Sequence, residues 1–522
     1  MEIFLKCIFQ TARSATIEIA DGSRYETGRA YEIFLDGKKL RETRRTINLL
    51  TGLCPDTEYR AELRPLGETE MAASISFRTE AEFVSLNVRD FGAAGDGVQD
   101  DTRFIQAAIL ACPPKSRVLI PEGIYLVSPL FLKSGIRVEI AKGAVIQGIA
   151  DRSKFPLLPG VVESRDRTTE YYLGTWEGNP LPSYASIITG IDVSDVVLYG
   201  EGVIDGGGSP ECWYDRSMAK RLPGRPRSVF LVGCTHVVIQ GLTVRNSPAW
   251  TIHPYFTDDF RMLGTSIQNP YDSPNTDGFD PESCDGVEVV GVHFSVGDDC
   301  IAVKSGKIYM GRKSHTPCRH IHIRQCLMEN GHGGVTTGSE IAGGVTDLLI
   351  EDCIFRHTDR GFRVKTRRGR GKNAILQKIV IRNVQMTDVY APIVVNSFYF
   401  CDPDGKTQYV QSREPFPVDD RTPEIRDLTL EHLHCEGAHA CAGYISGLPE
   451  KPVEKIVMND VRVTFAENPE PMAPAMSEGV EPCVRRGFYF ENVKEITARD
   501  VTVEGCEGEV FDTHGVGSIE IQ

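Results

Sequence analysis

His236-Val-Val-Ile-Gln-Gly-Leu-Thr-Val244 reads as a short strand, a bend and a second short strand, and the chain repeats this unit many times. Val196-Val-Leu-Tyr-Gly200 precedes it in the same style. Gly286-Val-Glu-Val-Val-Gly-Val-His-Phe294, His320-Ile-His-Ile-Arg-Gln-Cys-Leu-Met328 and Asp347-Leu-Leu-Ile-Glu-Asp-Cys-Ile-Phe355 follow. Lys378-Ile-Val-Ile-Arg-Asn-Val-Gln-Met386, Asp427-Leu-Thr-Leu-Glu-His-Leu433, Lys455-Ile-Val-Met-Asn-Asp-Val-Arg-Val463 and Glu495-Ile-Thr-Ala-Arg-Asp-Val-Thr-Val503 complete nine copies, spaced by about 27 to 50 residues. Repeats of this length and unequal spacing describe a solenoid with loops inserted between strands. Because strand side chains alternate, the recurring Val, Leu and Ile positions can stack into inward ladders. A chain of 522 residues is too long for one compact core, so an elongated all-β array suits it.

Four polar signatures interrupt this apolar pattern: Asn275-Thr276-Asp277, Gly297-Asp298-Asp299-Cys300, Gly331-His332-Gly333 and Arg363-Val364-Lys365. Alternation puts Asn275 and Asp277 on one face, and likewise Arg363 and Lys365. The 21-residue separation of Asp277 and Asp298 equals about one coil, which predicts that they stack roughly 5 Å apart on neighbouring strands. Asp298 and Asp299 are consecutive, so both reach one groove only if the backbone bends at Gly297. Three carboxylates in one patch suit acid/base cleavage of a glycosidic bond, where one carboxylic acid protonates the leaving oxygen and a carboxylate activates water. Mutual repulsion raises one pKa so that a proton is held near neutrality. The basic pair suits a negatively charged neighbouring group. A Ca²⁺ site is the competing reading of clustered aspartates.

With 41% hydrophobic and 25% charged residues the composition is that of an ordinary folded chain, and a net charge of −15 argues against nucleic-acid or anionic-membrane partners. The fifteen cysteines show neither CxxC pairs nor metal-ligand spacing, and Cys234, Cys326 and Cys353 lie in apolar strands. Buried free thiols are therefore expected rather than a disulfide framework. The first twenty residues lack a convincing secretion signal, and no apolar run approaches the roughly 20 residues needed to span a bilayer, so a cytoplasmic address is expected.

Residues 1–82 read as a small β-sandwich of alternating segments, and Leu53-Cys-Pro-Asp-Thr-Glu-Tyr59 resembles the fibronectin type III pattern in which a tyrosine bonds back to the backbone. A spacer or docking role is expected for it. The second domain, 83–522, opens with Val88-Arg-Asp-Phe-Gly-Ala-Ala-Gly-Asp-Gly97 and a helix from Arg103 to Cys112 whose amides Asp101 or Thr102 can cap. This opening resembles that of the pectate-lyase-like right-handed parallel β-helix superfamily, in which a short helix covers the first coil. Two long insertions, 151–184 and 401–424, have the length of functional loops. Trp176 in the first either stacks on a sugar face or anchors its loop.

In order and composition, the four signatures resemble those of glycoside hydrolase family 28, the polygalacturonase family, with Val364 in place of the family's Ile. Arg225-Pro226 and Asn246-Ser-Pro-Ala-Trp-Thr-Ile-His253 resemble further family segments. The resemblance implies that Asp298 is the general acid, that Asp277 and Asp299 position and deprotonate water with inversion, and that His332 tunes Asp298. It also implies that Arg363 and Lys365 grip a galacturonate carboxylate, with Asn275 and Tyr399 beside the sugar; Phe400 competes with Tyr399 for that place. No cofactor or metal is implied. A galacturonate-containing oligo- or polysaccharide is the expected partner. The amino-terminal domain and the Trp176-Glu177-Gly178 insertion resemble exo-acting bacterial members, so cleavage from the non-reducing end is expected. The alternatives are an endo-acting or rhamnogalacturonan-type hydrolase, a Ca²⁺-dependent pectate lyase and a non-catalytic polysaccharide-binding β-helix.

Overall fold

The computed structural model describes residues 3–215 and 224–522. Its main body is a parallel β-helix. One ladder runs through nearly its whole length: Val196, Val237, Phe260, Val287, Ile321, Leu348, Ile379, Leu428, Ile456 and Ile496 occupy matching positions on successive coils. All are buried in one continuous core. At about 25 cal/mol per Å² of apolar surface removed from water, such stacking is the main driving term for a structure built coil on coil.

The bend residue in the middle of the repeat is left-handed on coil after coil, with φ of 74° at Gly241, 66° at Gly291, 54° at Gln325, 53° at Asp352 and Asn383, and 50° at Asp460. Glycine and short polar residues tolerate this conformation, which is why the bend reads as small or polar. The coils of Ser116–Ile120 and Ile136–Ile140 precede the nine copies, and one coil between those copies escaped the sequence reading. The strand Asp258–Leu263 pairs with Thr235–Gln240 on one side and Asp285–Val290 on the other, so the longest apparent spacing holds two coils. Its outward Asp258, Asp259 and Arg261 disguise it.

The helix Thr102–Ala111 adds Ile105, Ala108 and Ile109 to the solenoid core at its amino-terminal end. Asp101 precedes it but does not cap it. Its carboxylate instead accepts hydrogen bonds from the amides of Ala94 and Gly95, at 2.8 and 2.9 Å, and so braces the glycine-rich turn. All fifteen cysteines are free thiols, and Cys234, Cys326 and Cys353 are buried in the core.

Residues Phe4–Arg78 form a three-stranded and a four-stranded antiparallel sheet around Ile17, Tyr31, Ile33, Leu50 and Leu63. The Tyr59 hydroxyl accepts a hydrogen bond from the Cys54 amide at 2.8 Å. This unit lies against the flank of the solenoid and is not a free spacer. Ile8, Phe9 and Ile47 pack on Tyr199, Val238, Leu263 and Val290 from four successive coils. Gln240 exchanges hydrogen bonds with Ser14 and Thr16, and Gln325 accepts one from the Tyr25 amide at 2.7 Å.

Candidate active site

The four polar signatures share one face of the solenoid. Parallel bridges join Ile252 to Phe279 and Phe279 to Ile301, and regular pairing then carries the sheet through Gly333–Thr337 and Arg360–Lys365. The Phe279–Ile301 bridge fixes the register, so that two residues upstream Asp277 stands opposite Asp299. The expected partner was Asp298. Asp298 lies in the bend before the strand Asp299–Val303, one residue out of register, and so the one-coil estimate from spacing misses by one. Gly297 permits that bend by close approach: a Cβ there would stand 2.4 Å from the Ser273 carbonyl.

All three aspartates still converge, with one carboxylate oxygen of each within 4.8 Å of the others. Asp277 and Asp299 are buried, whereas the Asp298 side chain keeps 25% of its exposure. Burial, and then the neighbouring Asp298, pushes Asp277 well above the usual carboxylate range. Burial acts on Asp299 in the same direction, but the charges of Lys365 and Arg363 outweigh it and hold Asp299 far below that range. The distances explain the outcome: Lys365 Nζ is 2.6 Å from Asp299 Oδ2, and Arg363 is 3.5 Å from Oδ1. The basic pair is therefore engaged with Asp299, whereas the sequence reading reserved it for substrate. A cation added to the aspartate patch would meet these two charges at once.

The half-exposed His332 side chain points Nδ1 toward Asp298 at 3.9 Å, and its amide donates to the Asp298 carbonyl at 2.9 Å. Asn275 is left-handed, with φ of 52°, and its Oδ1 accepts from Arg225 at 2.8 Å. Arg225 is itself buried and also donates to the carbonyls of Pro248 and Pro274. It orients Asn275, a task that the Arg-Pro dipeptide alone does not disclose.

A cavity of about 330 Å³ opens over this floor, lined by Asn275, Asp277, Asp298, His332, Arg363, Lys365, Tyr399 and Trp176 among others. Tyr399 faces it, with Lys365 Nζ 5.6 Å from its ring centre, while Phe400 lies beneath Lys406. Trp176 stacks on Trp250 at 5.8 Å and is only 9% exposed, so it anchors its loop and lines the cavity at once. Both long insertions reach the same end. Lys307 pairs with Glu177 of the first at 3.6 Å and with Asp402 of the second at 2.9 Å.

Sequence reading missed a set of buried charges at that end. Lys304 contacts Glu340 at 3.2 Å and Asp280 at 3.5 Å, and its ammonium stands 4.5 Å from the Trp250 ring centre. Glu282 meets His253 at 3.0 Å with both side chains fully buried. Burial raises Asp280 to about 7 and Glu282 to about 8. The available signal was a lysine ending the apolar run Cys300-Ile-Ala-Val303, and two acids in Phe279-Asp-Pro-Glu282.

A coiled parallel sheet carrying a proton-retaining Asp277 and an ionised Asp299, with the accessible Asp298 beside them, has the equipment of a glycoside hydrolase. The family model described as glycosyl hydrolases family 28 matches residues 119–476, and the chain belongs to that family. A second model, rhamnogalacturonase A/epimerase, pectate lyase-like, matches residues 85–150. A probable polygalacturonase of Vitis vinifera is 28% identical over 73% of this chain and 74% of its own length. An endo-polygalacturonase of Pectobacterium carotovorum is 27% identical over 57% of this chain and 72% of its own. The family 28 exopolygalacturonase structure of Yersinia enterocolitica superimposes with a TM-score of 0.69 at 20% identity, covering 99% of this chain and 98% of that one. At that identity the likeness is one of fold.

Proposed function

We propose that this protein is an exo-acting polygalacturonase that hydrolyses α-1,4 linkages at the non-reducing ends of galacturonate chains, releasing galacturonate or digalacturonate. One observation carries the reading: Asp277, Asp298 and the basic pair line a cavity, with Asp299 buried against them, where the two long insertions meet across Lys307. A chain end can enter such a cavity, whereas an internal stretch needs a groove open at both sides.

Asp298, the accessible member of the aspartate patch, donates a proton to the glycosidic oxygen as the C1–O bond breaks. Asp277 and Asp299 hold the water that attacks C1 from the face opposite the leaving group, which inverts the anomeric carbon, and the ionised Asp299 accepts its proton. The carboxylate oxygens lie closer together than the roughly 6.5–9.5 Å between carboxyl groups of most inverting enzymes, so the water sits against the patch and not between opposed walls. An Asp299 gripped by two cations is a weak base. The substrate's carboxylate competes for Arg363 and Lys365, loosens that grip and restores basicity, so the acidic sugar completes its own site. His332 orients the Asp298 carboxyl, and Asn275, Tyr399 and Trp176 contact the sugar.

A cytoplasmic address, where imported oligogalacturonides would be met, belongs to the same proposal and is tested by fractionating the source cells. The decisive experiment is chromatography of early products from a defined galacturonate oligomer, with anomer detection by NMR. Stepwise shortening by one or two units with inversion supports the reading. A ladder of all lengths, or a product absorbing in the ultraviolet through a new carbon–carbon double bond, overturns it.

A further inference from the structure

Three acids gather where the two insertions meet beside the cavity. Glu177 and Asp402 come from the two insertions, and Glu340 comes from the turn after the strand Gly333–Thr337; all three line the cavity. Gly178 presses against Glu340 so tightly that a Cβ would stand 2.7 Å from its Cγ, which places Glu340 where the first insertion closes the end. Asp402 is occupied by Lys307, Arg367 and Arg370 at 2.6 to 2.9 Å. Glu340 differs. One of its oxygens accepts from Lys304 at 3.2 Å, and the other has no hydrogen-bond partner among the described residues. Burial favours its neutral form, but Lys304, Lys307, Arg370 and Lys365 overcome this and bring it to about 2. It is a fixed acceptor at the end wall of a cavity.

A galacturonate chain entering by its non-reducing end leads with the C4 hydroxyl, since that carbon is where a further unit would be linked. A uronate carboxylate is repelled by an ionised Glu340, and a hydroxyl is welcomed. We infer that Glu340 determines specificity by accepting a hydrogen bond from the terminal C4 hydroxyl, so that the enzyme takes chains with saturated ends. Chains made by eliminative cleavage end in a 4,5-unsaturated uronate, which has no C4 hydroxyl and leaves the acceptor buried and unpaired. The substrate of this enzyme must then be supplied by a hydrolytic cut and not by a lyase. This inference rests on the exo reading above.

The test compares saturated with 4,5-unsaturated trigalacturonate on the intact protein. Sites built to bond a substrate hydroxyl discriminate strongly against analogues lacking it, so kcat/KM is expected to favour the saturated trimer by about 10²-fold or more. Glu340→Gln should shrink that ratio, mainly by lowering kcat/KM on the saturated trimer. Should Glu340→Gln fail to fold, the paired replacement Glu340→Gln with Lys304→Met removes both buried charges and reads the same ratio. Equal turnover of both trimers by the wild type overturns the inference and leaves the exo reading standing, as does a ratio that folded Glu340 variants leave unchanged. Internal cleavage of longer saturated oligomers overturns the exo reading, and this inference with it.

Discussion

Asp277 and Asp299 stand opposite each other on adjacent coils, both shut away from water, yet their charge states are opposite. Asp277, with Asp280 and Glu282 further along the same segment, is pushed toward the protonated form by burial and by neighbouring acids. Asp299 is equally buried and stays ionised because Lys365 touches it at 2.6 Å. Burial alone would make every one of these acids neutral, so two cations placed two coils along the same face keep Asp299 ionised beside a protonated Asp277. The charge state follows from neighbours, not from residue type.

Asp298→Asn removes the proposed proton donor, and kcat should fall by about 10²–10⁴-fold with melting temperature nearly unchanged. A variant with near-normal kcat would show that the proton comes from elsewhere. Lys365→Met makes Asp299 resemble Asp277. Loss of one partner from a buried ion pair should cost about 3–5 kcal/mol in chemical denaturation. The pH profile sharpens this test. The lowered pKa of Asp299 means that its ionised form, and the stability this brings, persists from neutrality downward and is lost only as pH falls through that low value. In Lys365→Met the acidic limb of kcat/KM should therefore move to higher pH, and an unmoved limb would exclude Asp299 as the base.

Arg363→Ala, which removes the more distant cation, should raise KM for charged oligomers about tenfold, on the scale of a charge-assisted hydrogen bond worth roughly 1.5–3 kcal/mol. If KM and kcat are both unaltered, the carboxylate is gripped elsewhere. The smallest expected effect concerns Glu282, whose pKa is raised to about 8. Its neutral form is fully favourable below the ordinary carboxylate pKa, and stability is lost as pH rises toward 8. Glu282→Gln should flatten the decline of melting temperature between pH 5 and 8, as read by scanning calorimetry. An unchanged slope would assign that decline to other groups.

Much of the architecture was legible because a solenoid is a local structure. Each coil repeats one strand–bend–strand unit, so alternating Val, Leu and Ile together with small or polar bends specify the ladder without long-range information. The hidden coil at Asp258–Leu263 shows the limit, since a polar outer face masks the same inward pattern. The three aspartates and the basic pair were readable as a group for the same reason. Their pairing was not: the bend at Gly297 shifts Asp298 out of register, and a one-residue slip is invisible to spacing.

By itself, then, the sequence determined the coil, its inward ladders and the family signatures, all set by residues near one another along the chain. Only the tertiary structure decided which cations meet Asp299, how Arg225 orients Asn275, and how residues 151–184 and 401–424 meet at Lys307. Those contacts join residues tens to hundreds of positions apart. Their energies depend on distance and burial, which no single stretch of the chain encodes.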